Sequence, residues 1–269
     1  MSFFANIFRA EMKKTKDPNM YNESTYQVGY PTTFLPLDYM NGMTIVNEVL
    51  NDDITYVHDS IGIADGSIVS LIGKSGTAKS TFAAQTMGAI ISMFPNSVGI
   101  YDDVEGGMSL QRISNVTGLP MRILKERVIH RNVGICGENF FERLNTHCEQ
   151  KVEASVSNPS IATYFTGFFD IYGKPIYKLI PTVYVLDSLA LLVPKDLSEE
   201  EKLKGQMSTT ASARMNAQIF RRIAPKLKAA NVILLVVNHI NDKVNITMMP
   251  TAAQINYLGQ NETVPGGFM

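Results

Sequence analysis

The stretch Leu71–Thr81, Leu-Ile-Gly-Lys-Ser-Gly-Thr-Ala-Lys-Ser-Thr, constrains this chain more than any other. Before it, Ser67–Ile72 is a short apolar run with β-branched residues, bounded by Asp65-Gly66 and Gly73, and reads as a buried parallel strand. After it, Lys79–Phe94 carries Phe82, Thr86, Ile90 and Met93 at helical spacing, so a helix begins where the loop ends. A strand, a glycine-bearing loop, a lysine-hydroxyl pair and a helix together make an anion cradle. Consecutive backbone N–H groups curl around the anion, the helix N-terminus adds partial positive charge, and Lys79 adds a full one. The Ser80 hydroxyl is placed to take a Mg²⁺ that bridges the outer phosphates. The nucleotide-binding candidates are therefore Gly73, Lys74, Ser75, Gly76, Thr77, Ala78, Lys79, Ser80 and Thr81. Ala78 stands where the pattern usually has glycine. It is tolerable at negative φ and costly at positive φ. The competing reading of the same residues is a glycine-rich turn that holds no ligand.

The rest of the chain sets bounds. A length of 269 residues supports a large core. No apolar run approaches the ~20 residues of a membrane helix, and the N-terminus has no basic-then-apolar export layout, so a cytoplasmic protein with no membrane partner is expected. Cys136 and Cys148 read as reduced core residues. With 24 basic and 25 acidic residues, any nucleic-acid role must rest on a local basic face.

Met1–Lys16 reads as a short amphipathic helix with Phe4, Ile7, Phe8 and Met12 on one side, stopped by Pro18. Asp17–Tyr30 reads as a linker and Pro31–Gly42 as a loop leading into a short helix; Met43–Ile63 holds at most a short strand pair. Ser97–Asp103 is a second buried strand running into Asp102-Asp103-Val104-Glu105-Gly106-Gly107. Carboxylates at the C-terminal end of such a strand sit where open α/β sheets bind ligands, which makes Glu105 a candidate to orient or deprotonate a water. Ser109–Val116, Met121–Val128 and Glu138–Ala154 read as helices, the last with Phe141, Leu144 and Val152 buried. Ala162–Ile171 and Lys174–Pro181 read as an inserted β-hairpin. Thr182–Ser188 is a buried strand ending in Asp187, the expected organiser of a metal's water shell. Lys195–Gln206 reads as a mobile loop and Thr209–Ala230 as a long helix with Arg214 and Arg221 on one side. Asn231–Ile240 is a further buried strand ending in Asn238-His239, and Asn241–Pro265 shows no element of its own.

In order and spacing, six blocks resemble the RecA-type recombinases, most of all the phage-encoded UvsX-like members. They are Phe34-Leu35-Pro36-Leu37-Asp38, the loop at Gly73–Thr81, Asp103-Val104-Glu105, Val185-Leu186-Asp187-Ser188-Leu189-Ala190, Ser212-Ala213-Arg214-Met215 with Asn238-His239, and Pro265-Gly266-Gly267. The resemblance implies an α/β fold: a RecA-like P-loop NTPase core, with a mostly parallel sheet and helices on both faces. It divides the chain into an N-terminal oligomerisation arm and linker at 1–44 and a core at 45–269. It implies ATP and Mg²⁺ as ligands, Lys79, Glu105 and His239 as catalytic residues, with His239 standing where the family usually has a glutamine, and Ser80 and Asp187 at the metal. Arg214, Arg221, Gly266 and Gly267 fall on DNA-contact positions. The implied activity is ATP-dependent binding of single-stranded DNA in a filament that exchanges strands with double-stranded DNA, in the cytoplasm of a bacterial host if the gene is phage-borne. Family members continue past Met269 with further strands, so the core is expected to be incomplete and to leave an open sheet edge. A ring-forming helicase or loader, and a degenerate ATPase with a regulatory role, are the competing expectations.

Overall fold

The computed structural model describes residues 28–48, 55–169, 174–198, 207–242 and 262–263. The proposed helix at Met1–Lys16, most of the linker after it, and Gly266 and Gly267 lie outside the described residues. Two small pairs precede the main sheet: β1 (Gly29–Tyr30) is antiparallel to β4 (Ile63–Ala64), and β2 (Met43–Glu48) to β3 (Thr55–Ser60). Between them lies α1 (Leu35–Met40), whose buried Asp38 accepts hydrogen bonds from the Thr32 amide and hydroxyl at 2.8 and 2.7 Å.

The main sheet is built from β5 (Ile68–Gly73), β6 (Val98–Asp103), β7 (Val128–Arg131), β10 (Thr182–Asp187) and β11 (Val232–His239). All five are parallel, in the order β5-β11-β10-β6-β7. Parallel strands need crossovers, and helices supply them: α2 (Lys79–Met93), α3 (Leu110–Thr117), α4 (Met121–Arg127), α5 (Gly137–Ser157) and α6 (Pro159–Ala162). The hairpin β8 (Thr163–Phe169) with β9 (Pro175–Leu179) is present as expected, and α7 (Lys195–Ser198) and α8 (Met207–Ala230) follow β10.

The runs Val-Tyr-Val-Leu and Val-Ile-Leu-Leu-Val-Val are apolar at every position because both sheet faces are covered. Val183, Val185, Ile233, Leu235 and Val237 pack toward α2 with Ala83, Ala84, Met87, Ile90 and Ile91. The alternate residues Tyr184, Leu186, Val232, Leu234 and Val236 pack toward α5 and α8, against Phe140, Leu144, Ile219, Ile223 and Leu227. Each fully buried side chain of this size stabilises the fold by about 1.5–3 kcal/mol. At the turn before β5, Gly66 has φ of 62°, and a Cβ there would come within 2.4 Å of the Lys228 Cα, so only glycine fits.

Five expectations are corrected. Among the described residues β5 is an edge strand, paired with β11 alone, and it is only half-buried. On α2 the buried set is Ala83, Ala84, Thr86, Met87, Gly88, Ile90 and Ile91, while Met93 is exposed; small residues let the helix lie close to the sheet. On α5 the buried stripe is Phe140, Leu144 and Cys148, spaced four apart, and Val152 faces solvent. Lys195–Ser198 forms a helical turn, and Asn241–Asp242 (β12) pairs antiparallel with Glu262–Thr263 (β13), where neither segment promised an element.

Candidate nucleotide site at the strand tips

Every strand of the parallel sheet ends on the same rim. Gly73 is level with His239, and Asp187 is level with both Asp103 and Val237. The loop after β5, the acid ending β10, the acid beyond β6 and the histidine ending β11 therefore converge. A cleft of about 680 Å³ opens beside the loop, lined by Gly73, Thr77, Ala78, Lys79 and Thr81, and continues along Ser70 and Ile72 toward Phe34 and Gln85.

The loop is shaped around the Lys74 carbonyl, which accepts from the Thr77 hydroxyl and from the Lys79 ammonium, each at 2.8 Å. Lys74 through Ala78 are exposed and Lys79 is buried. Ala78 caps α2 in the left-handed region at φ 61°, ψ 22°. This is the costly case for a residue with a Cβ, at about 1–2 kcal/mol. Burial lowers the Lys79 pKa, against the charges of Glu105 and Asp187, which raise it.

Asp187 is 3% exposed. Burial raises its pKa, and hydrogen bonds with Tyr101 and Ser80 work the other way. Its Oδ2 accepts from the Tyr101 hydroxyl at 2.7 Å, whereas Oδ1 is buried without a partner. Its carbonyl accepts from the amides of Val104 and Glu105, which ties the tip of β10 to the loop that carries Glu105.

Glu105 meets His239 across that tip, with Oε1 and Nε2 2.5 Å apart. Burial acts to raise its pKa, but the nearby Ser188 side chain, the hydrogen bond with His239 and the charges of His239 and Lys79 outweigh it and hold the carboxyl below its ordinary value. The carboxylate is thus ionised near neutral pH.

Asp103 and Tyr101 complete the site, and neither was singled out from the sequence for these contacts. Asp103 is 1% exposed. Its Oδ1 accepts from the amides of Gly106 and Gly107 at 2.9 and 3.2 Å, and its Oδ2 from Met108 at 2.7 Å, so it fixes the loop presenting Glu105. An aspartate three residues ahead of Gly-Gly is the signal that pointed to such a turn.

A hard divalent cation fits this donor set. Asp187 Oδ1 is a buried, unpartnered oxygen, and the neighbouring Ser80 hydroxyl acts to lower the pKa of the same carboxylate. One carboxylate oxygen and one hydroxyl are the kind of small donor set that Mg²⁺, which keeps most of its waters, would use; among the described residues no cluster of three or more His, Cys, Asp or Glu side chains is placed for a metal.

The DNA-contact candidates are not gathered here. Arg214 borders a separate groove of about 580 Å³ between α5 and α8, with Glu138, Glu142, Phe141 and Arg222. Arg221 is exposed on the same helix, α8. Among the described residues no helix is long and apolar enough to cross a membrane. No protein-family model matches the chain, and no curated protein sequence matches it.

Proposed function

We propose that the chain is an ATP-binding and ATP-hydrolysing protein of the RecA type that acts on single-stranded DNA as a homo-oligomer. The observation that carries the reading is the convergence of Lys79, Asp187 and Glu105 on one rim of a parallel sheet. Those groups come from three separate stretches of sequence.

In this reading the amides of the loop and the Lys79 ammonium hold the phosphates, and the N-terminus of α2 adds its partial charge. Lys79 exchanges its bond to the Lys74 carbonyl for a phosphate oxygen. Ser80 and Asp187 would hold Mg²⁺, which when bound neutralises charge on the outer phosphates. Glu105, ionised and anchored by His239, orients the attacking water and accepts its proton. Exposed Arg214 and Arg221 would contact DNA phosphates, and an oligomer multiplies those few contacts along a strand.

ATP turnover measured with and without single-stranded DNA tests this. DNA-stimulated turnover is expected, and Lys79→Ala should abolish it together with ATP-dependent DNA binding while the circular dichroism spectrum stays unchanged. DNA binding by Lys79→Ala with an unaltered response to ATP would refute the reading. Electron microscopy with a non-hydrolysable ATP analogue and DNA then distinguishes helical filaments from closed rings.

A further inference from the structure

The two outer strands of the main sheet are built differently. β7 has four residues and ends in His130 and Arg131, with Arg131 bound to Asp102 at 2.6 Å. Short, charged edges resist pairing. β5 has six residues, Ile-Val-Ser-Leu-Ile-Gly, with no charge and no proline.

The register shows which of its backbone groups are spoken for. The Leu234 amide donates to the Ser67 carbonyl, and the Ile240 amide to the Gly73 carbonyl. In a parallel ladder alternate residues of a strand bond to one neighbour. Ser67, Val69, Leu71 and Gly73 therefore face β11. Ile68, Ser70 and Ile72 present their N–H and C=O groups to the opposite side, where no strand lies among the described residues. That side borders the cleft running along Ser70–Gly73, and Ile72 is 38% exposed there.

We propose that β5 pairs antiparallel with β5 of a second copy, about a two-fold axis through Ser70. The outward residues read Ile-x-Ser-x-Ile, which is symmetric about Ser70. The axis sets Ser70 against its own copy and Ile68 against Ile72 twice, and each pair exchanges two hydrogen bonds, about six in all. The side chains of these three residues share one sheet face, so each exposed Ile72 is covered by an Ile68 from the other copy. No like charges meet. The contact is isologous and closes at two copies, giving one sheet continuous through both. The inference rests on the sheet edge and needs no nucleotide.

Sedimentation velocity on the full chain, without nucleotide or DNA, over roughly 1–100 µM tests it. Wild type is expected to dimerise within that range. Ser70→Pro should be monomeric, because it deletes an outward N–H while the bonds to β11 use other residues. A cooperative thermal melt checks its fold. Ile72→Lys retains the amide but places a charge on the shared face, and should weaken dimerisation at least tenfold; it decides the matter if Ser70→Pro does not fold. A wild-type monomer at the highest concentration overturns the proposal, as does a dimer that Ile72→Lys leaves intact. Slow amide exchange at Ser70 in the monomer overturns it too, since that places a segment of the same chain on the edge.

Discussion

Two buried carboxylates at opposite ends of the sheet are treated in opposite ways. Asp65, at the base beside the start of β5, is fully engaged: it accepts from the Val28 amide at 3.1 Å, from the Lys228 ammonium at 3.0 Å and from Lys178. These contacts bind the inserted hairpin, through Lys178, and the end of α8, through Lys228, to the same point. Asp187, at the rim, is as deeply buried but leaves one oxygen without a partner. A buried unpaired acceptor costs about 1–3 kcal/mol. The charges at the base are all engaged in cohesion, whereas the rim leaves one carboxylate oxygen without a partner.

Substitutions can break that contrast. The largest expected effect is at the base. Asp65→Asn should lower stability in urea unfolding by about 3 kcal/mol, because removing one partner strands buried cations. The estimate is at the low end because the Lys228 side chain remains 43% exposed. Lys178→Met should cost less, since it leaves Lys228 to satisfy Asp65.

A half-buried histidine on α5 gives the next effect. Burial, together with the charges of Lys151 and Arg131, pushes the His147 pKa from 6.5 down to about 4. The folded protein therefore keeps it neutral while the unfolded chain takes a proton. Stability should fall as pH drops from 6.5 to about 4, by up to about 3 kcal/mol. His147→Gln should flatten that part of the profile of melting temperature against pH.

At the rim the sign reverses. Burial raises the Asp187 pKa above 3.8, so the folded state favours the protonated acid, and its contribution is lost as pH climbs through the raised value. Asp187→Asn should accordingly match or exceed wild-type stability at pH 7, while Mg²⁺-dependent nucleotide affinity drops at least tenfold. A large loss of stability in Asp187→Asn would erase the distinction drawn between the two carboxylates. The smallest effect is expected for Ala78→Gly, which relieves the left-handed strain at φ 61° but loosens the unfolded chain. A net gain of about 1 kcal/mol or less is expected, with nucleotide affinity equal or tighter by calorimetry.

Much of this was legible in the residues. The runs ending in Asp103, Asp187 and His239 announced buried strands because continuous apolar stretches of that length have few alternatives. The segment Gly73–Thr81 announced the turn from strand to helix, since glycines between an apolar run and a helical period mark a loop. What stayed hidden depended on lateral order. Nothing local in Ile68–Gly73 says that it is the outer strand of the sheet among the described residues, and nothing near Glu105 says that it reaches His239 across an intervening strand. On α5, Phe140 and Phe141 are equivalent to a periodicity count, and only the position of the sheet chose between them. The role of Asp65 was illegible because its partners lie 113 and 163 positions away.

The pairing of β5 carries a consequence for how the protein comes into being. Ile68 finds its partner in Leu234, and among the described residues β5 has no other neighbour in the main sheet than β11. Contacts so distant along the chain form late. During synthesis the loop at Gly73–Thr81 stays tethered to a strand that cannot pair until Val232–His239 has left the ribosome, so the loop takes its folded geometry only after β11 has been made.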